Sequence, residues 1–254
     1  MPVDAGRVLA IMAHPDDAEF LCAGTLALLV ERGWHATIVT ATPGDCGSMT
    51  VPPDQIASQR RAEAARAASL IQAEYLCLEE RDLSIDYNAA TRRRVTDAIR
   101  RARPDIVFTH PLADYMADHE IIGRLVRDAC FAAPMVNYRG FAESAAIPGI
   151  PNLYYCDPFD PEMVPPQSGP GVTIDVTTTM GVKRRMLAEH SSQRDWLLAQ
   201  HGVDEYLRLQ DEKARACGER AGFVFGERFF QHTIHPYPTD DLLFTAISGR
   251  AGAT

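Results

Sequence analysis

The sequence predicts an α/β fold built on a mostly parallel sheet. Short apolar, β-branched runs alternate with longer Ala- and Arg-rich runs, in the order strand, helix, strand, helix. Their spacing suits right-handed crossovers, which put consecutive strands side by side and parallel. The chain has 254 residues, 46% hydrophobic and 23% charged, enough to bury a core within one domain spanning 1–254.

Residues 8–12 are a buried strand, and a helix-like segment runs over 18–33, with Gly33 placed to end it. Residues 36–41, Ala-Thr-Ile-Val-Thr-Ala, form the second strand. Pro43, Gly44, Gly47, Pro52 and Pro53 punctuate the loop that follows. A helix is expected over 55–70, a short strand over 75–78, a helix over 89–102 and a strand over 105–109. The next helix reaches about residue 132, with Asp118 as its candidate cap and His119 in its first turn. Residues 133–171 read as a loop-rich insertion at the substrate cleft, interrupted by a strand-like piece at 153–156. Residues 172–176 are one more strand, 180–200 and 203–216 are helical, and 248–254 form a flexible tail.

Bulk properties exclude several function classes. The net charge is −9 and no dense Lys/Arg block exists, so nothing supports binding to nucleic acid. Six cysteines are scattered with no CxxC pair, which indicates neither a thiolate zinc site nor a redox dithiol. The start of the chain lacks a basic region followed by a long apolar run, so no membrane span is expected and the predicted location is cytoplasmic.

The chemistry concentrates at Ala13-His14-Pro15-Asp16-Asp17, directly after the first strand. Parallel sheets bind ligands outside the carboxyl ends of their strands. The first strand ends in His14 and the fourth in His110, so both fall on that edge. Two imidazoles and a carboxylate with an open position make a catalytic zinc site. His14 and Asp17 are the candidate ligands from one loop, and His119 is the third. Asp16 and Asp17 cannot easily face one ion together, so one carboxylate is left as a base. Zinc lowers the pKa of a bound water from about 15.7 to roughly 7, and hydrolysis of an amide or ester follows. The same residues admit a second account, in which Asp16 or Asp17 only caps a helix. A dinucleotide site is disfavoured because the first turn lacks GxGxxG and carries carboxylates where a pyrophosphate would sit.

The stretch 11–29, Ile-Met-Ala-His-Pro-Asp-Asp-Ala-Glu-Phe-Leu-Cys-Ala-Gly-Thr-Leu-Ala-Leu-Leu, resembles the opening signature of the PIG-L (LmbE-like) family of zinc-dependent N-deacetylases. Further elements follow in family order. They are Gly44-Asp45-Cys46-Gly47 after the second strand, Arg60-Arg61-Ala62-Glu63, the segment 114–119, Lys183 with His190-Ser191-Ser192-Gln193, and Gly226-Glu227-Arg228-Phe229. The resemblance implies a Rossmann-like, LmbE-like deacetylase fold with helices on both faces. It implies Zn2+, or another divalent metal such as Fe2+, on His14, Asp17 and His119. Asp16 would be the base, with Arg60, and Asp45 beside it, at the substrate. The implied substrate is a small N-acetylated sugar conjugate, typically an N-acetylglucosamine unit within a larger molecule. A homo-oligomer is compatible with this reading. Members of the family typically carry His where this chain has Met116, and Met116 cannot donate a proton. Tyr115, by position, and His232, by chemistry, are the favoured stand-ins, with His110 and His190 behind them. An alternative is a metal- or sugar-binding protein of the same fold that has lost turnover.

Overall fold

The computed structural model describes residues 6–159, 161, 164–165, 169–201 and 205–249, with backbone only at 196, 197 and 199–201. The expected flexibility of the tail beyond 249 and part of the 133–171 stretch lie outside the described residues.

The chain order is β1 (Arg7–Met12), α1 (Asp17–Leu21), α2 (Ala23–Glu31), β2 (His35–Thr40), α3 (Pro53–Ser69), β3 (Glu74–Cys77), α4 (Ala89–Ala102) and β4 (Ile106–Thr109). It continues with α5 (Ala117–Ala132), β5 (Asn152–Cys156), β6 (Gly171–Asp175), α6 (Met180–Ala188), α7 (Ser191–His201), α8 (Glu205–Glu219), β7 (Gly226–Gln231) and α9 (Leu242–Ser248). The strands form one sheet in the order β3-β2-β1-β4-β5-β7-β6. The pairs β3/β2, β2/β1, β1/β4 and β4/β5 are parallel, whereas β7 runs antiparallel to both β5 and β6.

The central strand explains the apolar run at 8–12. Val8, Ala10 and Met12 pack on one face with α2, while Leu9, Ile11 and Ala13 pack on the other with α4 and α5. A strand covered on both faces reads as continuous hydrophobicity rather than alternation.

Two expectations are corrected and two segments add to the reading. The segment 18–33 is two helices, broken at Cys22, whose backbone leaves the helical region at φ −145°, ψ 2°. Residues 180–200 are likewise broken between α6 and α7, at Glu189 and His190. The sequence reading assigned nothing to β7 and α9. The 133–171 stretch does not sit in one place. From the end of α5 it crosses the edge opposite His14, where Arg100 donates to the carbonyls of Ala133 (3.0 Å) and Met135 (2.7 Å). Asp97, midway along α4, accepts from the backbone of Phe141 and Ala142. Phe141 then lies against Arg94 on the outer face of α4, and β5, parallel to β4, brings residue 157 to the edge that holds His14.

Candidate active site

Four segments leave the carboxyl edge of the sheet side by side: 13–17 after β1, 41–46 after β2, 78–83 after β3, and 110–119 after β4. They bring His14, Asp17 and His119 together. One donor atom from each lies within 4.8 Å of the others. His14 Nδ1 is 3.5 Å from Asp17 Oδ2, and His119 Nε2 is 3.5 Å from Asp17 Oδ1. Ligands about 2.0–2.1 Å from a tetrahedral zinc lie roughly 3.4 Å apart, so these separations suit a shared ion.

The remaining nitrogen of each imidazole meets a carboxylate. His14 Nε2 is 3.1 Å from Asp118 Oδ2, and His119 Nδ1 is 3.0 Å from Asp114 Oδ1. Metal-binding histidines are held in this way, which fixes the tautomer and turns the free lone pair toward the ion. Asp118 also accepts from Leu83 N at 2.7 Å, and so ties β3's loop to the centre. Asp118 is therefore not the cap of α5; Met116 occupies that position, without a side-chain cap. The donor set fits a divalent metal.

Charge in the centre is consistent with a cation site. Burial disfavours a charged His14, but hydrogen bonds to Asp118 and Asp17 outweigh it and raise its pKa to about 10. Burial likewise opposes ionisation of Asp17, yet the neighbouring His119 and His110 hold it well below the usual carboxylate range. His110 is fully buried, with Nε2 3.0 Å from Asp17 Oδ2 and its ring stacked on His119 at 3.9 Å. Burial and His119 lower its pKa, which keeps it neutral.

Asp16 and Asp17 separate as the sequence suggested they must. Asp17 begins α1, while Asp16 has φ 99°, in the left-handed region. A non-glycine residue there costs about 1–3 kcal/mol and marks a constrained position. Asp16 makes no side-chain cap to α1, so the helix-capping account of this carboxylate fails. Its Oδ2 instead accepts from Tyr206 Oη at 2.5 Å and lies 3.5 Å from Arg60 Nη2. Burial raises the Asp16 pKa, with Arg60 acting against it.

The structure places Arg60 against the loop that carries Asp16. Arg60 is 5% exposed and donates to the carbonyls of Pro15 (2.7 Å) and Gly44 (3.4 Å). Gly44 and Gly47 let the loop lie flat on the guanidinium: a Cβ at either would stand 2.4 Å from Nη1. Asp45 also turns inward, accepting from Asp82 N at 2.9 Å and pairing with Arg81 at 3.0 Å.

The later motif elements are fastenings between helices. Glu63 accepts from the Oγ atoms of Ser191 and Ser192 and from Ser192 N, and Gln193 donates to the Gly47 carbonyl. Lys183 donates to Glu227 at 2.5 Å and to the Phe20 carbonyl at 2.8 Å. Glu227 also accepts from Gly24 N and Thr25 N at the start of α2. His190 is fully buried beside Glu19, with Nε2 3.4 Å from Oε1.

The two stand-ins for Met116 part company. Tyr115 is 67% exposed and meets His119 edge-on at 5.3 Å, at the rim of the centre. Partial desolvation at the mouth of the centre and the surrounding Asp17, Asp114 and Asp16 raise its pKa and keep its hydroxyl protonated. His232 sits against Tyr155 and Tyr237. It follows the end of β7, which is antiparallel to β5, and so lies toward the opposite edge of the sheet. Sequence reasoning missed Asp118 and Tyr206 as partners of the site. Asp118 was signalled only by its place beside His119, and nothing in the sequence marked Tyr206.

Residues 9–130 match the family described as PIG-L, GlcNAc-PI de-N-acetylase. A 4-oxalmesaconate hydratase from Pseudomonas putida is 26% identical over 183 residues, covering 69% of each chain. A diacetylchitobiose deacetylase from Thermococcus kodakarensis is 28% identical over 198 residues, covering 75% of this chain and 71% of that one. In fold, this chain is similar to a solved 4-carboxy-2-hydroxymuconate hydratase from P. putida. The TM-score is 0.76 at 22% identity, over 93% of this chain and 99% of the other.

Proposed function

We propose that this chain, which belongs to the PIG-L (LmbE-like) family, is a metal-dependent hydrolase that removes an acetyl group from an N-acetylated amino sugar or glycoconjugate. One observation carries the reading. The nitrogens of His14 and His119 that face Asp17 are each backed by a carboxylate on the opposite side of the ring, and Asp16 stands next to them on a constrained backbone. His14, Asp17 and His119 would hold the ion, zinc or another divalent metal such as Fe2+. When bound, such an ion lowers the pKa of water from about 15.7 to roughly 7 and polarises a carbonyl.

This chain's own residues divide the remaining work. Asp16 takes a proton from the attacking water, whose oxygen bonds to the acetyl carbon. The C–N bond then breaks, and Asp16 returns the proton to the leaving amine, giving acetate and a free amine. Tyr115 donates to the carbonyl oxygen as it gains charge, the task Met116 cannot perform. Loss of such a donor costs on the order of 10²–10³ in rate. Arg60 acts by holding the loop that carries Asp16. No helix among the described residues is long and apolar enough to cross a membrane.

Acetate release from N-acetylglucosamine conjugates, N,N′-diacetylchitobiose among them, tests the reading. The wild-type chain should release acetate and Asp16→Asn should not. Undiminished activity in Asp16→Asn would overturn it, and sugar binding with no acetate release would favour a member that has lost turnover. A second reading is supported by Met116. Amide cleavage needs a proton delivered to a leaving amine, whereas addition of water to a carbon–carbon double bond has no leaving group. Hydratases also stand among the similar proteins. Loss of conjugated ultraviolet absorbance from unsaturated carboxylic acids, with no acetate release, would select that reading.

A further inference from the structure

Helix α8 enters the site 190 positions after the residue it touches. Tyr206 is 4% exposed, and its hydroxyl donates to Asp16 Oδ2 at 2.5 Å. One turn further along, Gln210 is fully buried and donates to the Glu19 carbonyl at 2.8 Å and to the Lys183 carbonyl at 3.4 Å. Residues four apart share one helix face, so Gln210 sets the register of α8 against α1 and α6, and Tyr206 is delivered to Asp16 by that register. The Phe20 ring meets Tyr206 edge-on at 5.2 Å and closes its other side.

The two oxygens of a carboxylate are interchangeable until something distinguishes them. Here Tyr206 Oη and Arg60 Nη2 both address Oδ2, and among the described residues no hydrogen bond reaches Oδ1. We propose that Tyr206 is a positioning residue for the base: it fixes Oδ2 of Asp16 and leaves Oδ1 as the oxygen that exchanges the proton. The inference rests on the hydrolytic reading of Asp16 and adds the residue that orients it. Hydrogen bonds to a charged group are the stronger kind, and a tyrosine whose ring is clamped between helices gives a fixed direction rather than a mobile one.

Tyr206→Phe tests this, because the ring and its packing on Phe20 remain while the hydroxyl is lost. The zinc-loaded full chain is assayed for acetate release from N,N′-diacetylchitobiose, with Asp16→Asn alongside, and crystal structures of wild type and Tyr206→Phe are compared. The expected result is a kcat lower by about 10- to 100-fold, with KM changed by no more than about twofold, zinc content unaltered and the circular dichroism spectrum that of wild type. In the crystal, the Asp16 carboxylate should turn or split between two orientations. A wild-type kcat in Tyr206→Phe, with Asp16→Asn inactive, overturns the proposal and leaves the hydrolytic reading standing. A loss of kcat that comes with lost zinc or a changed circular dichroism spectrum also overturns it, since that is a packing role. If the wild-type chain releases no acetate, the hydrolytic reading fails. The crystal comparison then decides alone: an unmoved carboxylate overturns the positioning role and a turned one supports it.

Discussion

Replacing Glu227 by Gln removes one charge from a pair that is closed to water. Lys183 is 1% exposed and Glu227 is 3% exposed. The carboxylate receives three donors: Lys183 Nζ at 2.5 Å, Thr25 N at 2.7 Å and Gly24 N at 2.9 Å. An amide of the same shape presents an NH2 group where one of these donors arrives, and leaves the ammonium with neutral carbonyl oxygens and no counter-charge. Breaking a buried pair from one side costs about 3–5 kcal/mol, most of it the uncompensated charge. For a chain of this size that is a fall of roughly 6–20 °C in melting temperature, at about 2–4 °C per kcal/mol. Urea unfolding monitored by circular dichroism measures it, with Lys183→Met/Glu227→Gln as the companion. Removing the ammonium as well should recover most of the loss. The reasoning is refuted if Glu227→Gln loses less than about 1 kcal/mol, or if the double variant is no better than the single one.

Other outcomes follow from the same contacts. Asp118→Asn weakens the acceptor behind His14 Nε2, so the dissociation constant for zinc should rise about 10- to 100-fold, measured by competition with a chromophoric chelator. Gly47→Ala would put a Cβ 2.4 Å from Arg60 Nη1 and 3.1 Å from Gln193 Nε2; a loss of about 1–3 kcal/mol in urea unfolding is expected, and unchanged stability would contradict the close packing. Burial opposes protonation of His190, but Glu19 and Asp16 outweigh it and raise its pKa above 6.5. Because the folded-state value is the higher one, the stability it supplies is full below pH 6.5 and is lost as pH rises through the raised value. The urea midpoint of wild type minus that of His190→Asn should therefore shrink as pH rises above 6.5, and a flat difference would refute the pairing.

What the sequence made legible was whatever lies close together along the chain or follows from strand direction. His14, Asp16 and Asp17 are neighbours, and two carboxylates so placed have to diverge. His119 was reached through topology, since β4 is parallel to β1 and ends on the same edge. Longer pairings were not legible. Glu63 with Ser191 and Ser192, and Lys183 with Glu227, stood in the sequence as separate elements, and only folding joins them across 128 and 44 positions. Strand β7 was hidden because Gly226, Glu227 and Arg228 stand in its first half, and Glu227 is a buried charge whose partners lie elsewhere. With β7 unseen, its antiparallel course was unseen too, and His232 could not be assigned to an edge. Tyr115, four residues before His119 in the sequence, stands against that ring.

The central claim is that His14, Asp17 and His119 hold one divalent ion. Inductively coupled plasma mass spectrometry of the purified chain tests it most directly, on wild type, His14→Ala, Asp17→Ala and His119→Ala, each incubated with zinc and dialysed. One equivalent of metal per chain in wild type, with little retained in any of the three folded variants, is the predicted result. A wild-type chain that keeps no divalent metal, or a His119→Ala chain that keeps a full equivalent, would contradict the account.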